Sequence, residues 1–317
     1  MLPLAYTESV ELKNHLKVID SLRRDILSAP VSPKVELKLR WEAKATRIHS
    51  SLALSHNLFS RGQVVKILAT QTKHLPSDYS DVIYYKHALD YIEEHFTANP
   101  RPTTINTVIA VSAIALNQQA DALTSSMSDA SGPIRTLLEY LENQSDHPVI
   151  QAGIAQCILS TSAPIPGDSG VIARLMGSLY LAKYGYDLRG LITVEKQWIT
   201  RQTSYELALA SLSREGNLNL WLLYFTQTLE ENYRERFEDL TKSRFRPELP
   251  SSFWELNDRQ KGVLEHLSDP ASSMTNRKVQ KIFGVSQITA SRDLSRLALL
   301  GLIFPHGKGR SITYTRA

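Results

Sequence analysis

Apolar residues recur at helical spacing through most of the first 242 residues of the chain. In residues 8–28 the apolar positions lie three or four apart, as on one buried helix face, and Pro30 and Pro33 end the pattern. The same spacing predicts further helices over residues 35–54, 62–71, 79–96, 133–143, 148–159, 169–184, 194–213 and 218–242. The pattern therefore predicts a mainly α-helical body.

Two stretches interrupt this pattern. Residues 103–116 are rich in Ile, Val and Ala and suit either a helix or a short strand pair, and propensity alone leaves both open. Pro247 and Pro250 stand in a short polar stretch typical of a linker. The predicted organisation is a helical region over 1–95, a core over 96–245, a linker over 246–255 and a C-terminal domain over 256–317.

The C-terminal domain begins with two short predicted helices. The first spans residues 256–267, with Asn257 as its N-cap. The second begins at residues 274–276 and ends at the turn Phe283-Gly284-Val285, where glycine allows a backbone shape that other residues resist. The residues expected to face inward are Val263, Leu264 and Leu267 on the first helix, and Val279 and Ile282 on the second.

A third helix and two strands complete the predicted domain. Ser286 caps a helix that runs to about Leu299, and Gly301 ends it. Strands over 302–304 and 311–314 flank a glycine-containing tip. The residues expected on the buried face of the third helix are Ile288, Leu294, Leu297 and Ala298. This order of elements predicts a winged helix-turn-helix, a small α+β domain beside the helical body.

Charge is concentrated in this domain. The whole chain has a formal charge of +4, but residues from 256 onward hold ten Lys or Arg and four Asp or Glu, about +6, which leaves about −2 elsewhere. A basic surface of this kind suits the phosphates of double-stranded DNA. The predicted DNA contacts are Thr275, Asn276, Arg277, Ser286, Gln287, Thr289, Arg292, Arg296, Lys308 and Arg310. Protein contact is the alternative use of this fold.

Composition narrows the setting. Cys157 is the single cysteine, which excludes an intramolecular disulfide, and its apolar surroundings favour a core position over a nucleophile. Residues 1–14 contain no long apolar run, and no stretch approaches the roughly 20 apolar residues of a membrane helix. We therefore expect a soluble cytoplasmic protein with no membrane partner.

The segment from residue 147 to 190 resembles the Fic family. That family's motif reads His-Pro-Phe-x-Asp-Gly-Asn-Gly-Arg, and its members typically transfer AMP from ATP to a hydroxyl on a target protein. Here residues 163–176 read APIPGDSGVIARLM, with a downstream Tyr184-Gly185-Tyr186. The segments His147–Ala152 and Ser204–Leu209 also look like family segments. The resemblance covers roughly residues 40–240, and a Fic-like domain with a C-terminal winged helix is a familiar bacterial arrangement.

The motif departs from the family at the positions that carry its chemistry. The resemblance implies that the general base is replaced by Ala163, the acidic metal ligand by Gly167, the Asn by Ser169 and the first phosphate-binding arginine by Val171. Asp168 stands one position late. Such groups are commonly worth about 10² to 10⁴ in rate each, so we expect an inactive domain with no metal and no cofactor. Only Pro164, Gly170 and Arg174 match.

A second sequence element of the Fic family has also lost its functional residue here. Many Fic proteins carry an inhibitory helix, Ser-x-x-Ile-Glu-Gly-Asn, whose glutamate pairs with the second motif arginine and blocks productive ATP binding. Residues 51–57 read SLALSHN at the matching place, so that glutamate is Ser55. Both the reactive groups and the group that restrains them are absent, which favours a vestigial inhibitory helix.

Several functions stay open for the Fic-like domain. Ser169, Gly170 and Arg174, at a helix start, form a candidate anion or nucleotide site, while the alternative is a plain N-cap with Arg174 in a structural salt bridge. The leading hypothesis is a homodimeric transcriptional regulator whose Fic-like domain dimerises or senses a nucleotide or another small molecule. A divergent nucleotidyl transferase, an AMP-removing enzyme and an antitoxin-like partner of an active Fic protein are the alternatives.

Overall fold

The computed structural model divides into two compact units. The first comprises Met1–Val31, Ala43–Ile67 and Pro76–Phe245, and the second comprises Ser32–Glu42, Leu68–Leu75 and Arg246–Ala317. The residues described are 2–29, 31, 33–70, 79–97, 99, 101–126, 131–143, 145–161, 168–242, 255–267, 272–307 and 312–316. Among them, no helix combines the length and the apolar character needed to cross a membrane.

Twelve helices precede residue 243 among the described residues, and they confirm the predicted helical body. They are α1 (Val10–Ser28), α2 (Pro33–Leu54), α3 (Arg61–Ala69), α4 (Ser80–Phe96), α5 (Ile105–Leu116), α6 (Ala120–Ser126), α7 (Ser131–Asn143), α8 (Pro148–Thr161), α9 (Ser169–Lys183), α10 (Val194–Thr200), α11 (Gln202–Glu215) and α12 (Asn219–Lys242). Helix α6 was not predicted. The predicted helix over 148–159 extends to residue 161, and the other predicted helices, except the one over 194–213, match within a few residues.

Residues 103–116, for which the sequence allowed either a helix or a strand pair, contain a helix with a capped start. Residues 105–116 form α5 rather than strands. Thr104 and Thr107 form a capping box, in which the Thr104 backbone N–H donates to Thr107 Oγ1 at 3.2 Å. Side-chain oxygens thereby satisfy N–H groups that a helix start leaves unpaired, which stabilises the helix over the strand alternative.

The predicted single helix over 194–213 is wrong at its middle. It breaks at Arg201, whose φ of −122° and ψ of 47° lie outside the helical region. The Arg201 guanidinium forms an ion pair with Glu231 on α12. This partner lies 30 residues away in sequence.

Helices α8 and α9 form the centre of the first unit. All residues of α8 from Val149 to Leu159 and all of α9 from Val171 to Lys183 are buried, as expected for helices that are covered on every side. The two helices pack on each other, α4 and α5 pack on α9, and α12 packs on α8 and α1. The second motif arginine, Arg174, therefore lies inside the unit.

The second unit contains a small α+β region. It comprises α13 (Asp258–His266), β1 (Met274–Thr275), α14 (Asn276–Phe283), α15 (Gln287–Leu299), β2 (Ile303–His306) and β3 (Thr313–Arg316). The strands form an antiparallel sheet in the order β1-β3-β2, with Met274 opposite Tyr314 and Ile303 opposite Arg316. The core consists of Val263, Leu267, Met274, Val279, Ala290, Leu294, Leu297 and Ile303. The fold is therefore mainly α with a small α+β region, as predicted.

Strand bounds in this region differ from the prediction. Met274 and Thr275 belong to β1, so the predicted second helix begins only at Asn276. Strands β2 and β3 run to residues 306 and 316, further than the predicted 304 and 314. Short strands have too few residues for alternation to mark their ends, and pairing with β3 sets them instead.

Two predicted inward residues point outward. Ile282 is 42% exposed and Ile288 is 65% exposed. On α14 the next inward residue after Val279 is Phe283, which lies four residues, or about one turn, further along the helix. The ring of Phe283 lies against Gly262 of α13. A β-carbon added at Gly262 would lie 2.8 Å from Phe283 Cε1, so glycine permits this approach. Ile282 is left at the edge of the core.

Ile288 is exposed because of its angular position on α15. Its buried face begins at Ala290 and continues through Asp293, Leu294 and Leu297. Ile288 lies two residues before Ala290, about 200° around the helix, and therefore on the opposite side. Leu294 and Leu297 are fully buried as predicted, and Ala298 is half-buried.

Candidate functional site

Asp168 caps the first turn of α9. Its Oδ1 accepts a hydrogen bond from the Val171 backbone N–H at 2.9 Å, while Ser169 and Gly170 form the half-buried start of the helix. One N–H group that a helix start could offer to an anion is therefore already paired. The N-cap alternative is correct for Asp168, and the anion site over Ser169, Gly170 and Arg174 stays a prediction.

Arg174 is held by the C-terminal part of α2. It is only 3% exposed. Its Nε donates to Ser51 Oγ at 2.7 Å, and its Nη2 donates to the Ser51 carbonyl oxygen at 2.8 Å and to Ser55 Oγ at 2.7 Å. These described partners are neutral oxygens. The prediction of a structural salt bridge for Arg174 is therefore not what these hydrogen bonds show. The segment predicted as a vestigial inhibitory helix thus contacts Arg174.

Two buried tyrosines near Arg174, and Cys157 on α8, have pKa values raised by burial. Burial raises the pKa of Tyr85 to about 12 and also raises that of Tyr205, although Arg174 opposes both shifts. Burial likewise raises the pKa of Cys157 to about 12, and its side chain is fully buried. The prediction that Cys157 is a core residue is confirmed, and the thiolate needed for nucleophilic attack is disfavoured.

A cleft of about 490 Å³ opens beside this site. Its described lining includes Ser55, Tyr84 and Val171, and its charged side chains are the carboxylates of Asp81 and Asp168. Val171 stands where the resemblance places an arginine for phosphate. The described lining therefore supplies carboxylates where a bound triphosphate requires positive charge.

Ala163, Pro164 and Gly167 lie outside the described residues, so only their chemical identity bears on the site. Among the described residues, no group of three or more His, Cys, Asp or Glu is arranged to hold a metal ion.

In the second unit, two predicted DNA contacts at the start of α14 have structural partners. Thr275 caps α14 by accepting from the Lys278 backbone N–H at 3.1 Å. Asn276 donates from Nδ2 to the Gln287 carbonyl oxygen at 3.2 Å and accepts from Gln280 at 2.6 Å. These bonds fix the start of α15 against the start of α14.

The cap of α15 is confirmed. Ser286 Oγ accepts from the Thr289 backbone N–H at 3.2 Å, and the two hydroxyls lie 3.0 Å apart. Gly284 ends α14 with a φ of +64°, a left-handed conformation that glycine adopts without strain, as predicted. The predicted turn between the two helices is therefore correct.

The predicted contacts differ in exposure. Arg277, Gln287 and Arg292 are exposed, and Arg296 is half-buried with an interaction inside the protein. Lys308 and Arg310, at the predicted tip, lie outside the described residues, as do residues 246–254 of the predicted linker. The exposed basic and amide groups thus gather on α14 and the first half of α15.

Asp293 lies on α15, as Arg292 does, but its side chain points inward. Its side chain is 5% exposed, forms an ion pair with Arg259 and accepts from Gln260 Nε2 at 2.9 Å. The hydrogen bond to Asp293 raises the pKa of Arg259 further. This carboxylate is therefore withdrawn from the exposed face of α15.

One solved structure resembles the whole chain, and a second resembles about three quarters of it. A Fic family protein from Desulfovibrio desulfuricans G20 matches with a TM-score of 0.60 and 17% identity, over 100% of this chain and 98% of that chain. Fic-1 from C. elegans matches with a TM-score of 0.59 and 16% identity, over 73% of each chain. The chain has a Fic-like fold.

A third solved structure with a Fic domain matches about three quarters of the chain. A Fic domain containing signaling protein from Bacteroides thetaiotaomicron VPI-5482 matches with a TM-score of 0.56 and 17% identity, over 74% of this chain and 100% of that chain. No protein-family model and no curated protein matches the sequence. The expected Fic-like fold is confirmed by structure.

Sequence reasoning missed residues at both sites. In the Fic-like body it placed Ser51 in the segment 51–57 but gave it no role, although Ser51 accepts two of the three hydrogen bonds described from Arg174. The spacing of four residues between Ser51 and Ser55, on one helix face, was the available signal. On α15 it missed the exposed Ile288, and the two-residue offset from Ala290 was the signal there.

Proposed function

We propose that this chain is a DNA-binding transcriptional regulator. Its small α+β region is then a winged helix-turn-helix with α15 as the recognition helix in the major groove. The observation that carries the proposal is the exposed set Arg277, Gln287 and Arg292 beside a buried Asp293. Arginine and glutamine are the side chains that pair with guanine and adenine edges, and the region is strongly basic.

In this proposal the Fic-like body performs no nucleotidyl transfer. Support comes from Ala163, Gly167 and Val171, which offer neither a base nor a metal ligand nor a phosphate clamp. Further support comes from Asp168 and Arg174, since both already have hydrogen-bond partners within the protein. The body would then serve dimerisation or ligand sensing in the cytoplasm.

A homodimer is part of the proposal. One recognition helix covers a small DNA surface, and two copies on adjacent half-sites give usable specificity. The selected DNA should accordingly contain repeated half-sites about one helical turn, or a multiple of it, apart.

The test begins with selection of genomic fragments by the purified full-length chain, followed by gel shifts. Arg292→Ala should weaken binding about 5- to 150-fold and relax the base preference at one position, as expected for loss of a bidentate arginine contact. Arg310→Ala should weaken binding with little change of preference. Lys261→Ala is the matched control, because Lys261 is paired with Asp258 on α13. Equal binding by all variants would reject the proposal.

The enzymatic alternative has its own test. Full-length protein is incubated with labelled ATP, GTP or UTP and Mg²⁺, with and without candidate targets. We expect no labelled protein. Label that appears with the wild type and is lost in Arg174→Ala would establish nucleotidyl transfer and overturn the inactive assignment.

A further inference from the structure

Ile288 is the most exposed large apolar side chain in the described part of the α+β region. It is 65% exposed, at the second residue of α15. Single exposed apolar residues are common on protein surfaces, so exposure alone indicates nothing. The neighbours of Ile288 on the helix make its place informative.

Ile288 belongs to one continuous exposed face. Ser291, Arg292 and Ser295 follow it at i+3, i+4 and i+7, which is one side of a helix, and all are exposed. The two serines are small, so the face projects two long side chains, Ile288 and Arg292. At 1.5 Å per residue these are about 6 Å apart along the axis, less than two base-pair steps of about 3.4 Å.

Hydrogen bonds hold the start of α15 in place. Asn276 donates to the carbonyl oxygen of Gln287, Ser286 caps the helix, and Asp293, five residues after Ile288, is buried and bonded to Gln260. The branched side chain of Ile288 has few rotamers. The directions in which it can project are therefore few before any ligand binds, which favours selective recognition of a small group.

The chemistry of Ile288 restricts what it can recognise. It has neither a donor nor an acceptor, so it cannot bind phosphate or the polar edge of a base. In the major groove the apolar group is the C5-methyl of thymine. We infer that Ile288 contacts a pyrimidine C5-methyl group within two base pairs of the base bound by Arg292. This inference rests on the proposed DNA-binding function.

The experiment uses the full-length chain and the duplex that it selects most strongly from random sequences. Each thymine is replaced in turn by deoxyuridine, which lacks only the methyl group. One replacement should weaken wild-type binding about four-fold, the value expected for one buried methyl group. Ile288→Ala should bind the parent duplex more weakly and lose this sensitivity, whereas Ser291→Ala should keep it.

A second arm separates thymine from its methyl group. The sensitive thymine is replaced by cytosine in one duplex and by 5-methylcytosine in another. Wild type should bind the 5-methylcytosine duplex more tightly than the cytosine duplex, whereas Ile288→Ala should bind the two equally. Because Ile288 is exposed, the variant should unfold at the wild-type temperature.

The outcomes are distinct. Failure to select any duplex rejects the proposed function, and the inference with it. Selection of a duplex whose thymines can all be replaced without effect rejects the inference alone, as does a variant that keeps the methyl sensitivity.

Discussion

Arg174 donates two hydrogen bonds to Ser51, from Nε to Oγ at 2.7 Å and from Nη2 to the carbonyl oxygen at 2.8 Å. In the family that the sequence resembles, a glutamate on this helix pairs with the arginine. Here a hydroxyl and a carbonyl group of a buried serine take that place, assisted by Ser55. The buried guanidinium therefore keeps its position through neutral acceptors.

The two serines should contribute unequally to stability. Ser51→Ala should lower the free energy of unfolding by about 1.5–3 kcal/mol, because a buried charged donor loses an acceptor. Ser55→Ala should cost about 0.5–1 kcal/mol, since Ser55 is half-buried and water can replace it. Urea unfolding of both variants measures the difference. Equal losses would contradict the assigned roles.

Placing a carboxylate at position 55, directly after α2, should stabilise the first unit. In Ser55→Glu the new side chain can pair with Arg174, which should add about 1 kcal/mol at pH 7. The pairing lowers the pKa of the glutamate, so the gain is present above about pH 4.3 and is lost as the pH falls below it. Thermal unfolding from pH 3 to 7 tests this, with Ser55→Gln as the uncharged control. A gain shared by both variants would exclude an ion pair.

Gly262 should be intolerant of a side chain. Gly262→Ala places a β-carbon 2.8 Å from Phe283 Cε1 and should destabilise the α+β region by about 1–3 kcal/mol. Adding Phe283→Leu should recover part of this loss because the clashing ring is removed. Gly62→Ala is the control, since a β-carbon on α3 meets no atom within 4 Å. Hydrogen exchange of amides in α13 and α14 reports the effect, and unchanged protection would disprove the close approach.

Asp90 should make the free energy of unfolding depend on pH in the acidic range. Burial alone would raise its pKa, but Lys44, with Nζ at 2.9 Å, and Lys86 together lower the pKa well below the usual range. The folded state thus releases the proton more readily than the unfolded chain. Its contribution is complete above about pH 4, near the ordinary pKa of aspartate, and declines as the pH falls through the lowered value.

Replacement of Asp90 isolates this effect. Asp90→Asn should reduce stability at pH 7 and flatten its dependence on pH below about 4 in urea unfolding experiments. Asp25→Asn, on the exposed side of α1, serves as the control. A variant that follows the wild-type pH curve would remove Asp90 from the acid response.

Local signals in the sequence predicted most elements. The caps Asn257, Ser286 and Gly284 mark helix ends through groups that lie within a few residues, and all three are correct. The break at Arg201 carries no such signal, because its side chain makes no capping hydrogen bond at the start of α11. Ile282 and Ile288 were predicted to face inward because they are apolar. Their angular positions on the two helices place them outward instead.

The candidate sites were predictable to different extents. The resemblance located Arg174 and the segment 51–57 near each other, and the structure places them in contact. The assignment of Ser51 as the main acceptor needed side-chain geometry. Likewise, charge counting marked the C-terminal region as basic, but it could not show that Asp293 is buried and paired with Arg259.

The inward carboxylate of Asp293 also limits how α15 can turn. Rotation about the helix axis would pull a charged group away from Arg259 and Gln260 and expose the leucines beside it. The outward residues, Gln287, Ile288, Ser291, Arg292 and Ser295, can therefore be exchanged without a change in the orientation of the helix. New surface chemistry can arise at these five places one substitution at a time, while the scaffold beneath them stays constant.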